Sequence, residues 1–121
     1  IRETRDGNFV VIAPDIDLGP KDSVFVPFFG IPTNTVTSVS RLAKLSGAEV
    51  CLMNTFLNAD KSGYICTIHP PLENFPSDDP EKDTARLSLC IQELVQKRPA
   101  EYYWVHKRFK YRPPGEPSLY D

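Results

Sequence analysis

The segment from Asp79 to Pro99 most constrains the fold, because its apolar residues keep helical spacing between a clear start signal and a clear stop. Asp79 predicts an N-cap, and Pro80 falls at the first helical position, where its missing N–H costs nothing. Glu81 complements the positive end of the helix dipole. Leu87, Ile91, Leu94 and Val95 then recur at i, i+4, i+7 and i+8, with Cys90 on the same flank, and Lys97 and Arg98 close the pattern before Pro99. A helix of about four turns with one apolar flank requires a second layer to cover it.

The remaining segments supply that layer. NFVVIAP (8–14) is an apolar, β-branched run stopped by Pro14 and predicts a strand buried on both faces. SVFVPFFG (23–30) predicts a second extended run, although Pro27 removes a ladder donor and argues against an uninterrupted central strand. NTVTSVSRLAKLSG (34–47) places Val36, Val39, Leu42, Ala43 and Leu45 on roughly one side at helical spacing, with Gly47 as the stop. AEVCLMNTFL (48–57) suits an interior strand, and NADKSG turns it into GYICTIH (63–69) as a hairpin. PPLENFPSDDP (70–80) carries four prolines without periodicity and reads as a loop. The order strand, strand, helix, hairpin, helix describes an α/β layer arrangement, with parallel and antiparallel pairings both open.

At 121 residues and 40% apolar content the chain suffices for one domain with one modest core. IRETRDG at its start resembles the last turn of a helix followed by a glycine stop, so the chain is expected to begin in mid-protein. Cys51, Cys66 and Cys90 are odd in number and lie in apolar stretches, which favours reduced core thiols. No apolar run reaches the ~20 residues of a spanning helix.

Candidate chemistry concentrates at two places. Asp15 and Asp17 follow the first predicted strand in PDIDLG; they can orient a ligand at a strand end or, as turn formers, satisfy their own backbone amides. The second place is a block near the end of the chain. Lys97, Arg98, Lys107, Arg108, Lys110 and Arg112 are interleaved there with Tyr102, Tyr103, Trp104, Phe109 and Tyr111. Such a mixture can grip phosphates, stack on bases, dock on an anionic membrane, or bury its rings in a core while its cations stay solvated. A net charge of -2 argues against a broad nucleic-acid surface, and no nucleic-acid partner is expected. His69, before two prolines, is read as a capping or packing residue, and His106, among cations, as a poor base. There is no GxSxG elbow, no phosphate-cradling glycine loop and no Cys/His spacing for zinc, so no metal or cofactor is expected.

Three stretches together resemble the carboxyl-terminal half of the lipid A biosynthesis acyltransferases, the lauroyl and myristoyl transferases of Gram-negative bacteria. They are PDIDLGPKDSVFVPFFGIPTNTVTSVSRLAKLSGAEV, GYICTIHPPLENFP and RPAEYYWVHKRFKYRPPGEPSLY. The resemblance implies a single partial domain over residues 1–121, with 113–121 as a tail, in a glycerolipid-acyltransferase-like mixed sheet flanked by helices. It implies transfer of a fatty acyl chain from acyl carrier protein to a hydroxyl of a phosphorylated glucosamine-based lipid acceptor, at the cytoplasmic face of the inner membrane.

The family's catalytic motif is a histidine followed, after four intervening residues, by an acid. From His69 that position is Asn74, and from His106 it is Tyr111, so this chain lacks the motif, which in the family lies upstream of the aspartate block. By resemblance, Asp15 and Asp17 become supporting active-site residues that fix the acceptor or an arginine. Lys107 and Arg108 become candidates for phosphate contact, while Trp104 and Phe109 pack. PDIDLG carries Ile16 and Leu18, and the closing block carries Ala100, where relatives often differ. The alternative is a stand-alone module in which residues 101–112 bind anionic lipid or nucleic acid.

Overall fold

The computed structural model describes residues 1–120. The elements run α1 (Arg2–Arg5), β1 (Ser23–Phe28), β2 (Ile31–Val36), α2 (Ser38–Ser46), β3 (Cys51–Leu57), β4 (Tyr64–Pro71), α3 (Pro80–Lys97) and a short 3-10 turn (Pro99–Glu101). The α/β class read from the sequence is observed. Its strands form two separate antiparallel hairpins, β1 with β2 and β3 with β4. No helix among the described residues is long and apolar enough to cross a membrane.

α3 is built as its sequence dictates. The Asp79 carboxylate accepts from the amides of Glu81 and Lys82, both at 3.1 Å, and Pro80 opens the first turn. Leu87 and Val95 enter the core with Val26, Phe28, Val39 and Ala43. α3 lies along β1, and Ser88 Oγ donates to the carbonyl of Pro27 at 2.9 Å.

The turn of the first hairpin is Phe29–Gly30, with both residues at positive φ (50° and 75°), the signature of a type I′ connection. Pairing of Phe28 with Ile31 sets the register, so Pro27 faces Pro32. In a two-residue hairpin that second pair makes no ladder hydrogen bonds, and two prolines fit where neither could donate.

Several expectations are corrected, among them that of core thiols, since Cys51 and Cys66 are both exposed. Residues 8–14 are not a buried strand: Phe9 is 96% and Val11 77% exposed, because no described strand lies beside them to complete a ladder. Residues 34–36 belong to β2, so the second helix starts at Ser38. The sequence pattern mistook Val36 for a helical position; Thr33, Asn34 and Thr35 are buried in β2 although polar, which hides strand alternation from a hydropathy reading. Leu45, expected on the apolar side, is 58% exposed, while Gly47 ends α2 in the left-handed region as expected.

The β3–β4 hairpin lies at the far end of α3. Arg98 Nη1 donates to the carbonyl of Leu57 at 2.8 Å, Glu101 accepts from the Leu57 amide at 2.8 Å, and the Arg98 guanidinium sits 5.3 Å from the Phe56 ring centroid. The ring contact lies on the face that carries Phe56 and Ile65, the latter 58% exposed, and the two Leu57 bonds lie on the outer edge of β3. The opposite face, with Met53, Tyr64, Cys66 and Ile68, is exposed.

Candidate functional site

PDIDLG and the carboxyl-terminal block, about 90 positions apart in the chain, meet in one hydrogen-bonded cluster. Asp17 is a turn former: its Oδ1 accepts from the Gly19 amide at 3.0 Å, an Asx turn. Gly19 holds φ 100°, a conformation that favours glycine, and packs against the Tyr111 ring at ordinary contact distance. Asp17 Oδ1 also accepts from Asn34 Nδ2 at 3.1 Å, and Oδ2 faces the Tyr111 amide at 3.4 Å.

Asn34 is 2% exposed and fully engaged. Its Nδ2 also donates to the Gly19 carbonyl at 2.8 Å, and its Oδ1 accepts from Ser23 Oγ at 2.6 Å. One side chain of β2 thus stitches the turn to the hairpin.

His106 enters the same cluster. Its Nε2 accepts from the Asp17 amide at 2.8 Å, and because a backbone N–H can only donate, the ring carries its lone pair there and is neutral in this arrangement. His69 serves elsewhere, its Nε2 2.6 Å from Asn54 Oδ1 across the second hairpin.

Asp15 accepts from the Tyr102 hydroxyl at 2.8 Å. Burial pushes the Tyr102 phenol well above the ordinary range, and the neighbouring Asp15 charge and hydrogen bond push it further, so it remains a donor. Tyr102 packs edge-on to Trp104 at 4.8 Å and 6.0 Å from Phe28, as an aromatic bridge between core and block.

Arg108, one of the two candidates for phosphate contact, lies in the interior. It is 2% exposed, its Nη1 donates to the Asn34 carbonyl at 2.7 Å, and its Nη2 donates to Thr35 Oγ1 at 2.8 Å. Burial lowers its pKa, while Tyr102, Asp15 and Asp17 act in the opposite direction and favour the cation. Its guanidinium also lies 5.6 Å from the Phe28 ring centroid. Lys107, by contrast, is exposed, with its ammonium 5.5 Å from the Tyr120 ring centroid. Phe109 packs 6.2 Å from Phe28, and Trp104 remains 44% exposed while its indole N–H reaches the Pro99 carbonyl at 2.7 Å. The closing residues fold back, with Tyr120 Oη accepting from the Phe109 amide at 3.0 Å.

A space of about 10 Å³ lined by Pro14, Asp15, Thr35 and Arg108 lies beside the cluster. It has room for about one water and none for a sugar or an acyl chain. Sequence reasoning found Asp15 and Asp17 but missed Asn34, Tyr102 and His106 as their partners. Only the tertiary fold brings these residues together.

In this α/β chain the Pro-Asp-x-Asp turn is thus held by a distant basic aromatic block. Residues 1–111 match the family described as bacterial lipid A biosynthesis acyltransferase. The chain is 38% identical over 117 residues to the lipid A biosynthesis palmitoleoyltransferase of Escherichia coli (strain K12), covering 96% of this chain and 38% of that protein. It is 37% identical to the lipid A biosynthesis lauroyltransferase of the same organism (99% of this chain, 40% of that protein) and 29% identical to its lipid A biosynthesis myristoyltransferase (99% and 37%). The chain belongs to the lipid A biosynthesis acyltransferase family. It spans about two fifths of the length of the curated relatives it matches.

Proposed function

We propose that this chain is the carboxyl-terminal part of a membrane-associated acyltransferase that moves a fatty acyl group from acyl carrier protein to a hydroxyl of a phosphorylated glucosamine-based lipid A precursor. The observation that carries this reading is the convergence of PDIDLG with the terminal block, through Asp15 with Tyr102 and Asp17 with His106. Both lie in stretches whose sequence resembles the family.

The general base is an upstream histidine paired with an acid. It takes the acceptor hydroxyl proton as the oxygen attacks the thioester carbonyl, and the carrier thiolate leaves as the new ester forms. Asp15 and Asp17 support this chemistry by fixing the turn at the site's edge. Lys107 is the better placed of the two phosphate candidates, because it reaches solvent while Arg108 does not. The enzyme works at the cytoplasmic face of the inner membrane.

Assay of the full-length protein with acyl-loaded carrier and lipid A precursor tests the proposal. Wild type should transfer acyl groups, and Asp15→Ala and Asp17→Ala should each lower kcat/KM by about 10-fold or more, the order of loss when a reacting group is misplaced. A full-length protein without transfer would sink the reading, and full activity in both variants would remove the aspartates' role.

A second reading, a stand-alone module for anionic lipid, draws on the exposure of Tyr103 (71%), Trp104 (44%) and Val105 (80%) beside Lys107. Vesicle binding by the isolated 121 residues, abolished by salt and indifferent to any upstream segment, would favour it.

A further inference from the structure

We infer that His106 is a positioning residue for acyl transfer: through Nε2 its neutral ring holds the Ile16–Asp17 peptide and so sets the direction of the aspartate turn. The inference rests on the proposed function, in which Asp15 and Asp17 support the reaction at the site's edge.

The Ile16–Asp17 peptide is a planar link between the two acids, so whatever fixes its N–H also fixes its carbonyl and the chain direction on either side. Among the described residues that N–H has one acceptor, His106 Nε2 at 2.8 Å. No carbonyl of the turn takes it. Ile16 donates back to Ala13, and the Asp17 carboxylate is turned forward to the Gly19 amide and to Asn34. A part-buried amide requires a partner, and this one comes from 89 positions away.

The ring is itself held. The His106 amide donates to the Tyr103 carbonyl at 3.2 Å, and its carbonyl accepts from the Arg108 amide at 2.7 Å. The Arg108 side chain is in turn buried against β2 through Asn34 and Thr35. A path of direct bonds therefore runs from β2 through Arg108 and His106 to the peptide between the acids. Tyr102, from the same block, grips Asp15 by its carboxylate. Asp15 is aimed through its side chain and Asp17 through its main chain, so loss of the His106 bond frees the peptide while the Tyr102 bond remains.

The state of the ring follows from its donor. A backbone amide only donates, so Nε2 keeps its lone pair and the proton of the neutral ring stands on Nδ1. With that lone pair engaged, the ring has no free basic nitrogen for an acceptor hydroxyl. His106 therefore acts on the reaction through Asp17. A glutamine amide oxygen can accept in the place of Nε2, whereas alanine leaves the Asp17 amide unpaired.

The test uses the full-length protein in detergent and has three readouts. Nuclear magnetic resonance of protein isotope-labelled at histidine nitrogen, with the His106 signal identified by its absence in His106→Gln, should find the wild-type proton on Nδ1 at neutral pH. Hydrogen exchange over residues 16–18 should be about 10-fold faster in His106→Ala than in wild type and close to wild type in His106→Gln. Acyl transfer by His106→Ala should lose about 10-fold in kcat with KM within about twofold of wild type, and His106→Gln should recover to within about threefold. Should His106→Ala fail to fold, the wild-type ring and His106→Gln still decide. A wild-type proton on Nε2, a loss confined to KM, or His106→Gln no better than His106→Ala overturns the inference. The two readings separate cleanly. Active wild type with an unaffected His106→Ala sinks the positioning role alone, whereas inactive wild type with the Nδ1 proton and the exchange difference intact sinks the proposed function and spares the hold on the turn.

Discussion

Arg108 donates to the main-chain carbonyl of Asn34 at 2.7 Å, and Arg112, one helical-turn equivalent later in sequence, donates to the carbonyl of Pro32 at 2.8 Å. Residues 32 and 34 are alternate positions of β2, and in this register their carbonyls point away from β1. Two guanidinium groups therefore occupy the rim of β2 where another strand would otherwise pair. Arg112 is in turn held by Glu116.

Arg108→Gln should accordingly behave as a structural lesion. It removes charge-assisted bonds in a buried setting, and a loss of about 2 to 4 kcal/mol of stability is expected by denaturant titration. Binding to phosphorylated and dephosphorylated acceptor should fall by equal factors. A selective loss for the phosphorylated form would restore Arg108 as a phosphate ligand.

Lys107→Gln should show the opposite profile. Its side chain is exposed, so stability should change by less than about 0.5 kcal/mol, as for an ordinary surface substitution. Affinity for the phosphorylated acceptor should fall, and the deficit should shrink as salt rises. An unchanged KM at low salt would remove Lys107 from the acceptor site.

Tyr102→Phe tests the bond to Asp15. The phenol is retained in its neutral form by burial and by Asp15, so its folded pKa lies above its unfolded value. The folded state then holds a proton that the unfolded state releases, and this contribution is present below about pH 10 and is lost as pH rises through the folded value. Wild type should lose stability on the alkaline side more steeply than Tyr102→Phe. Ultraviolet titration should find one fewer late-ionising phenol in the variant.

Asp83 governs the acid side. It is 3% exposed; burial alone would raise its pKa, but hydrogen bonds from Ser40 Oγ at 2.6 Å and from the Ser77 amide at 2.9 and 3.0 Å outweigh this and leave it lowered. Its contribution is present above the ordinary carboxylate pKa of about 4 and is lost as pH falls through the lowered folded value. Asp83→Ala should cost about 2 to 3 kcal/mol at neutral pH, since it leaves buried donors unpaired. The variant's stability should also fall less between pH 5 and 2 than that of wild type, as read from thermal midpoints.

Where local chemistry decides structure, the sequence was legible. Asp79 and Pro80 started α3, Gly47 stopped α2, and the turn residues between Leu57 and Tyr64 made a hairpin. It misled where burial was polar or where a partner was required. Thr33, Asn34 and Thr35 line the interior of β2 without an apolar signal, and Ser40, Asp83 and Ser88 do the same on the helices. Residues 9–12 have the composition of a strand but, among the described residues, no neighbour to make them one. At the site the two aspartates were readable from their place after an apolar run. Tyr102, His106 and Asn34 were not, because their role depends on hydrogen bonds across 15 to 89 positions.

The clamp on β2 also bears on the order of events during synthesis. The hairpin can close as soon as Ile31 to Val36 leave the ribosome, yet the guanidinium groups that occupy its rim arrive more than 70 residues later. Until then the carbonyls of Pro32 and Asn34 stay bare, and a product that stops before Arg108 would keep an open β-edge ready to recruit a neighbouring chain.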